Sequence, residues 1–317
     1  MKQAVAKKRR SGLRQRDIKN WIFIGIMAAI PMIQFTVFYI YVNFNTILMS
    51  FQSYEVVNEA TGASKYIWNN FANFKEVWKN VADTKVLLIG LKNSSILYAV
   101  STLIGTPLTL FFSYYIYKKR PFHKTFKVML FLPSIISGLV MTLLFQYFVN
   151  NSVPDLWEKI FHKEIDGLTS VATKTQMPTI LFYGVWAGFG TGMLMYAGAM
   201  SNISDSMVEA CHLDGANNLQ EFWYVTLPGV FPTLTTFLTT SIAGFFTADM
   251  SLFAFYGEGA EAKLWTIGYY IFVQTKKAGL SDYPYLASLG LVLTIIAMPF
   301  TFGLRKLLFR FGPSTER

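Results

Sequence analysis

Glu209, Cys211, His212 and Asp214 lie within six residues of one another, and by type they could bind a metal, supply a nucleophile or move a proton. Their spacing argues against each. Adjacent residues on a helix point about 100° apart, so Cys211 and His212 do not converge on one ion. Cys211 is the single cysteine, which leaves no internal disulfide and no second thiolate ligand. Glu209 and Asp214 are a close carboxylate pair, but a glycosidase needs its pair across a substrate cleft. His123 and His162 fall in polar connectors and need no special role. No G-x-x-x-x-G-K-[ST] phosphate loop occurs, so the chain is expected neither to hydrolyse ATP nor to bind a cofactor or metal of its own. It reads as a non-enzyme, and on chemistry alone the cluster is an ordinary acidic loop helix with self-satisfied caps.

The elements that must hold this cluster are apolar. Hydrophobic residues make up 53% of the 317, aromatics 17% and charged residues 15%, against about 25% charged in a soluble domain. Six segments lack Lys, Arg, Asp and Glu altogether: 21–42, 94–117, 128–149, 176–200, 229–248 and 283–304. At a rise of about 1.5 Å per residue the first spans about 33 Å, enough to cross a hydrocarbon core of about 30 Å. The predicted fold is therefore an all-α integral membrane protein with six transmembrane helices. Its domains are a basic N-terminal segment over 1–20, a membrane domain over 21–304 and a tail over 305–317. A basic leader precedes the first span, but the apolar stretch outruns a signal-peptide core of about 7–15 residues. It is read as a retained anchor.

The net charge of +10 has two ordinary sources, nucleic-acid binding and membrane topology. If the N-terminus is cytoplasmic, segments 1–20, 118–127, 201–228 and 305–317 are inside. They hold 17 basic and 6 acidic residues, leaving 11 basic and 12 acidic outside. That split is the positive-inside pattern with both termini cytoplasmic, and it removes the case for nucleic acid. Outside, 43–92 is rich in aromatics, and Phe71, Phe74, Val77 and Trp78 sit at helical spacing. An amphipathic helix at the membrane boundary follows, serving as an interfacial belt or as a contact for an external partner. The segments 150–175 and 249–282 are shorter polar connectors.

One inside loop breaks the charge rule. Segment 201–228 has no Lys or Arg, and at 28 residues it is long enough to carry structure of its own. Asn202, Ser204 and Asp205 are N-cap candidates for a helix bearing Met207, Val208, Ala210, Cys211 and Leu213. Gly215 can end it in a left-handed turn. A second short helix over 219–225 precedes Pro228, which punctuates the entry to the next span. The expected product is a compact acidic knob on a basic face.

Glu209-Ala210-Cys211, then Gly215, then nine residues to Val225-Thr226-Leu227-Pro228, resembles the EAA–G–nine–I-x-L-P signature of the permease subunits of ABC importers. The stretch Glu209 to Ala216 is similar to the E-A-A-x-x-D-G-A form of the sugar-importer branch, with Cys211 in place of the usual third alanine. Length, span plan and basic N-terminus also resemble that family, in particular the first permease of maltose-type systems without the large external insertion. The resemblance implies that 201–228 is a coupling loop docking in a groove of a cytoplasmic ATPase, through Glu209, Ala210, Cys211, Asp214, Gly215, Ala216, Leu227 and Pro228. It implies as partners a second permease subunit, an ATPase homodimer that holds the ATP and Mg, and an extracytoplasmic solute-binding lipoprotein. The implied place is the bacterial cell membrane, surrounded by lipid. Because the external insertion is missing, maltose-specific binding residues are not carried over.

Within the spans, Gly105 with Pro107, Pro133 with Gly138, and Gly184, Gly188, Gly190 and Gly192 allow either close helix packing or kinks that line a cavity. Asn93, Tyr98, Gln146, Tyr147, Tyr183 and Trp186 could contact a passing sugar or glue helices together; no substrate-binding residue is singled out. The function implied is ATP-driven uptake of sugars, oligosaccharides foremost. Glycerol phosphate or a charged oligosaccharide are other solutes for the same machine. A secondary transporter is the competing class, but it ordinarily places ionisable residues within its spans, and these six have none.

Overall fold

The computed structural model describes residues 2–58, 63–83, 85–171 and 173–313, with side chains from residue 18 onward apart from a few positions near the gaps and the C-terminus. The last four residues of the expected tail and Met1 lie outside the described residues. The helices are α1 (Lys2–Phe35), α2 (Val42–Met49), α3 (Ala72–Asp83), α4 (Lys85–Val100), α5 (Thr106–Tyr117), α6 (His123–Ile135), α7 (Gly138–Tyr147), α8 (Val153–Phe161) and α9 (Gln176–Met200). They continue with α10 (Asp205–Leu213), α11 (Asn218–Glu221), α12 (Leu227–Ala243), α13 (Leu252–Tyr256), α14 (Ile267–Lys277) and α15 (Tyr283–Phe311). Single π-helical turns join α1 to α2, α4 to α5, α7 to α8 and α11 to α12.

Four stretches are long and apolar enough to cross a membrane: Ile18–Met49, Lys85–Tyr117, Gln176–Met200 and Tyr283–Arg310. A fifth arises if His123–Ile135 and Gly138–Phe161, bent by 108°, form one broken span. The bend falls at Ile136 and Ser137, both extended. Pro133, in the last turn of α6, lacks the N–H that would continue the ladder, and of the two readings of Pro133 and Gly138 the segment 128–149 takes the kinked one. The segment 229–248 also differs. Its helix, Leu227–Ala243, ends five residues short of the expected limit and carries threonines at 233, 235, 236, 239 and 240.

The all-α expectation needs a correction. Gln52–Asn58 (β1) and Ala63–Trp68 (β2) pair as an antiparallel hairpin, with Gln52 opposite Trp68 and Tyr54 opposite Tyr66. Aromatic and β-branched residues favour the pleated surface, and the Tyr54 and Tyr66 rings meet at 5.2 Å. The hairpin belongs to a unit formed by Met1–Glu76 and Gly279–Leu291. Within it Phe51 contacts Trp68, Phe71 and Phe74. The buried Asn73 amide donates to the carbonyls of Ser50 (2.9 Å) and Gln52 (2.8 Å), tying the start of α3 to the hairpin. The expected amphipathic helix over 71–78 is thus α3, entered through an aromatic cluster.

The second unit comprises Val77–Ala278 and Val292–Arg317. Here α9 packs against both α5 and α6. Ser113 on α5 donates to the Met193 carbonyl of α9 at 3.1 Å. A Cβ on Gly190 would sit 2.7 Å from the Ser134 Cβ of α6, so glycine sets that helix spacing. One apolar cluster joins Phe145, Ile180, Tyr183, Leu252, Phe255 and Tyr269. Another, of Leu110, Tyr114, Tyr196, Met200 and Val230, underlies the 201–228 segment.

Candidate functional site

Local chemistry builds the 201–228 segment. Ser204, in extended conformation, caps α10 by accepting from the Met207 N–H, and Asp205 places a carboxylate in the first turn, where the helix dipole favours it. At the other end Gly215 takes φ +84°. Its N–H donates to the His212 carbonyl at 3.0 Å and the Ala216 N–H to the Cys211 carbonyl at 3.1 Å, the paired bonds of a Schellman turn. Asn217 then starts α11 with a reciprocal capping box: its Oδ1 accepts from the Leu219 and Gln220 N–H groups, and Gln220 Oε1 accepts from the Asn217 N–H. The chain reverses direction between two capped helices.

The second helix does not stop at Pro228. It runs from Asn218 through the π turn Phe222–Thr226 into α12. Pro228 sits just after that turn, where the wider helical register gives room for a ring with no N–H.

The residues expected to dock are brought together in this reversal, with unequal exposure. Glu209, Ala210, Asp214 and Gly215 are exposed, while Cys211, Ala216, Leu227 and Pro228 are half-buried. Leu227 and Pro228 open α12 and belong to its base. Leu213, beside Asp214 at the turn, is 88% exposed. An apolar side chain projecting from a carboxylate-bearing knob suits a protein socket better than water. Residue type alone had assigned Leu213 only to the helix.

The base of the knob holds the group that sequence reasoning missed. Glu221 is fully buried. One carboxylate oxygen accepts from Lys118 Nζ at 2.8 Å, and the other lies 2.7 Å from the same Nζ and 2.9 Å from His212 Nε2. The Tyr114 hydroxyl donates to the Asn218 carbonyl at 2.9 Å, and its ring meets Phe222 at 5.1 Å. The sequence shows Glu221 and Lys118 only as charges 103 positions apart, so no local spacing links them.

The polar residues within the spans mostly serve the fold. The Asn93 amide donates to the carbonyls of Lys263 (2.8 Å) and Trp265 (2.9 Å). Tyr183 is buried and shares a 2.7 Å hydrogen bond with Thr142. Gln146 donates to the Phe255 carbonyl at 3.1 Å, and Tyr98 meets the ring of Phe245. Gly184 and Gly188 face open space, whereas Gly190 and Gly192 face Ser134 and Thr109, so both readings of the glycines hold on different faces of α9. The open face lines a cavity of about 360 Å³ with Thr106, Thr109, Thr191, Tyr196 and Ser241. Val185, Phe237 and Leu238 add apolar surface to these hydroxyls, and no charged group lines it. Among the described residues no three His, Cys, Asp or Glu side chains form a group able to hold a metal.

Residues 105–315 match the family described as binding-protein-dependent transport system inner membrane component. The multiple sugar-binding transport system permease protein MsmF of Streptococcus mutans is 25% identical over 171 residues, covering 54% of this chain and 58% of that protein. The arabinooligosaccharides transport system permease protein AraP of Halalkalibacterium halodurans is 30% identical over 181 residues, covering 55% and 56%. The chain spans about half the length of these curated relatives. The fold is similar to that of a bacterial ABC transporter involved in import of the acidic polysaccharide alginate, with a TM-score of 0.76, 18% identity, and coverage of 93% of this chain and 98% of that one.

Proposed function

The chain belongs to the family of binding-protein-dependent transport system inner membrane components, and we propose that it is the membrane-spanning subunit of an ATP-driven importer of neutral oligosaccharides. The observation that carries the proposal is the exposed knob of Glu209, Leu213, Asp214 and Gly215, within the matched residues, at the ends of helices too apolar for water. In this reading 201–228 is a coupling loop facing the cytoplasm, and the two termini share that side. The segments 128–149 and 229–248, bent or threonine-rich as they are, complete six spans. The sugar permeases among its relatives and the uncharged, hydroxyl-lined cavity support sugar as cargo. Hydroxyl groups exchange hydrogen bonds with a polyol at no cost in buried charge. A charged solute finds no partner there, which places glycerol phosphate and acidic sugars second.

The chain works in an assembly. A second permease completes the path, an ATPase homodimer binds ATP and Mg, and an extracytoplasmic binding protein delivers solute. Closure of the ATPases pulls on the knob, and the helices behind it switch the cavity between its two openings. Exposed carboxylates at such an interface pair with Arg or Lys of the partner. The test is co-purification of the full chain with its candidate ATPases, with Asp214→Ala and Leu213→Asp as variants. Loss of ATPase association with retained membrane insertion supports the assignment. Uptake by the chain alone, or unaltered association in both variants, refutes it.

A further inference from the structure

The Glu221 junction is an expensive way to hold a loop. A buried ion pair rarely stabilises more than apolar residues of the same shape, and its distinctive property is to fix one geometry. Here three elements meet at one carboxylate: Lys118 at the end of α5, His212 on α10, and Glu221 on α11. Lys118 is itself held, its Nζ lying 5.9 Å and 5.8 Å from the ring centres of Tyr114 and Tyr117. Among the described residues the 2.9 Å approach of His212 Nε2 to Glu221 is the only contact of α10 with a side chain of opposite charge type. Cutting at Glu221 leaves the exposed docking face untouched and removes the charged tie between the knob and the end of α5, leaving the Tyr114–Asn218 hydrogen bond as the remaining polar link there. That helix also carries Thr106 and Thr109, which line the hydroxyl cavity.

We propose that Glu221 is a positioning residue: clasped by Lys118 and His212, it makes the knob and α5 move as one body, so that a pull on the knob reaches the cavity. This rests on the coupling-loop reading above. The clasp passes displacement onward, and the docking face only receives it.

The test uses the full chain in two preparations. In the assembled, reconstituted transporter, Glu221→Gln keeps its ATPase and hydrolyses ATP, but sugar taken up per ATP falls by about fivefold or more, the lower end of coupling free energies between sites. His212→Ala, at a half-exposed side chain that leaves the Lys118 contact intact, lowers the same ratio by about twofold, the low end of what one hydrogen-bonding contact contributes. The exchange Lys118→Glu with Glu221→Lys recovers the ratio relative to either single change. In lipid nanodiscs holding the chain alone, a spin label on Cys211, the one cysteine, becomes more mobile in Glu221→Gln. Uptake per ATP unchanged in both Glu221→Gln and His212→Ala overturns the proposal. So does an equally immobile label in Glu221→Gln. Should the wild-type chain bind no ATPase, the coupling-loop reading fails, and the label still decides whether the clasp holds the knob.

Discussion

Gly215 holds φ at +84°, and no neighbouring heavy atom lies within 4 Å of where a Cβ would stand. Gly215→Ala therefore has room for its methyl, and its cost is conformational alone, about 1–2 kcal/mol for an L-residue kept left-handed. That is a factor of about 5–30 in the ratio of opened to closed turn. The Ser204 cap, the Asn217 capping box and the Glu221 contacts are untouched, so the closed turn stays dominant and uptake falls by less than that factor. Gly215→Pro is a different perturbation. Its ring fixes φ near −65°, which the turn cannot accept. It also deletes the N–H that donates to the His212 carbonyl at 3.0 Å. The combined cost exceeds about 3 kcal/mol, more than a hundredfold in the equilibrium of the turn. The assay is the initial rate of ATP-dependent sugar uptake into proteoliposomes holding the assembled transporter, with ATPase retention measured alongside. Near-normal uptake by Gly215→Pro would refute the reasoning. An alanine variant as damaged as the proline one would also refute it, because the conformational origin of the cost would then be wrong.

Three further outcomes are expected. Gly190→Ala brings a methyl within 2.7 Å of the Ser134 Cβ and destabilises the bundle by about 1–3 kcal/mol through overpacking. Gly188→Ala, with open space before it, does not, and thermal denaturation in detergent separates the two. Asn93→Leu strips the Lys263 and Trp265 carbonyls of their donor, at about 1–3 kcal/mol for each acceptor left buried and unpaired. Faster proteolysis around residue 263 is the readout. Thr191→Val keeps the volume of a cavity-lining residue and removes its hydroxyl, lowering sugar uptake by about 2–10-fold, the worth of one hydrogen bond, with ATPase association intact. Unchanged uptake would remove Thr191 from the solute path.

Much of the knob is written locally. Ser204, Gly215 and Asn217 act through hydrogen bonds to residues within five positions, so the order of helix, turn and helix follows from residue types. Pro133 and Gly138 marked a weak point in the same way, although the 108° bend depends on what the two halves pack against. The absence of charge located the apolar segments but not their helical limits, since 229–248 is free of charge throughout and its helix still ends at Ala243. The hairpin was obscured because Tyr54, Tyr66 and Trp68 serve an interfacial belt as readily as a strand. The Lys118–Glu221–His212 junction was the least legible part. A contact across 103 positions exists only once α5 and α11 are packed, and in the sequence its members look like one more basic, one acidic and one idle histidine residue. Asn93, Gln146 and Tyr183 show the converse: their chemistry suits a sugar, but the fold has already used it.

The central claim is that the exposed turn at Leu213 meets an ATPase. It is tested most directly by introducing a photoreactive benzoylphenylalanine at Leu213 in the full chain and irradiating membranes that contain the assembled transporter. One dominant cross-link is expected, to the ATPase subunit, weakened when Asp214 is also changed to alanine. Cross-links only to lipid, or to the extracytoplasmic binding protein, would contradict it.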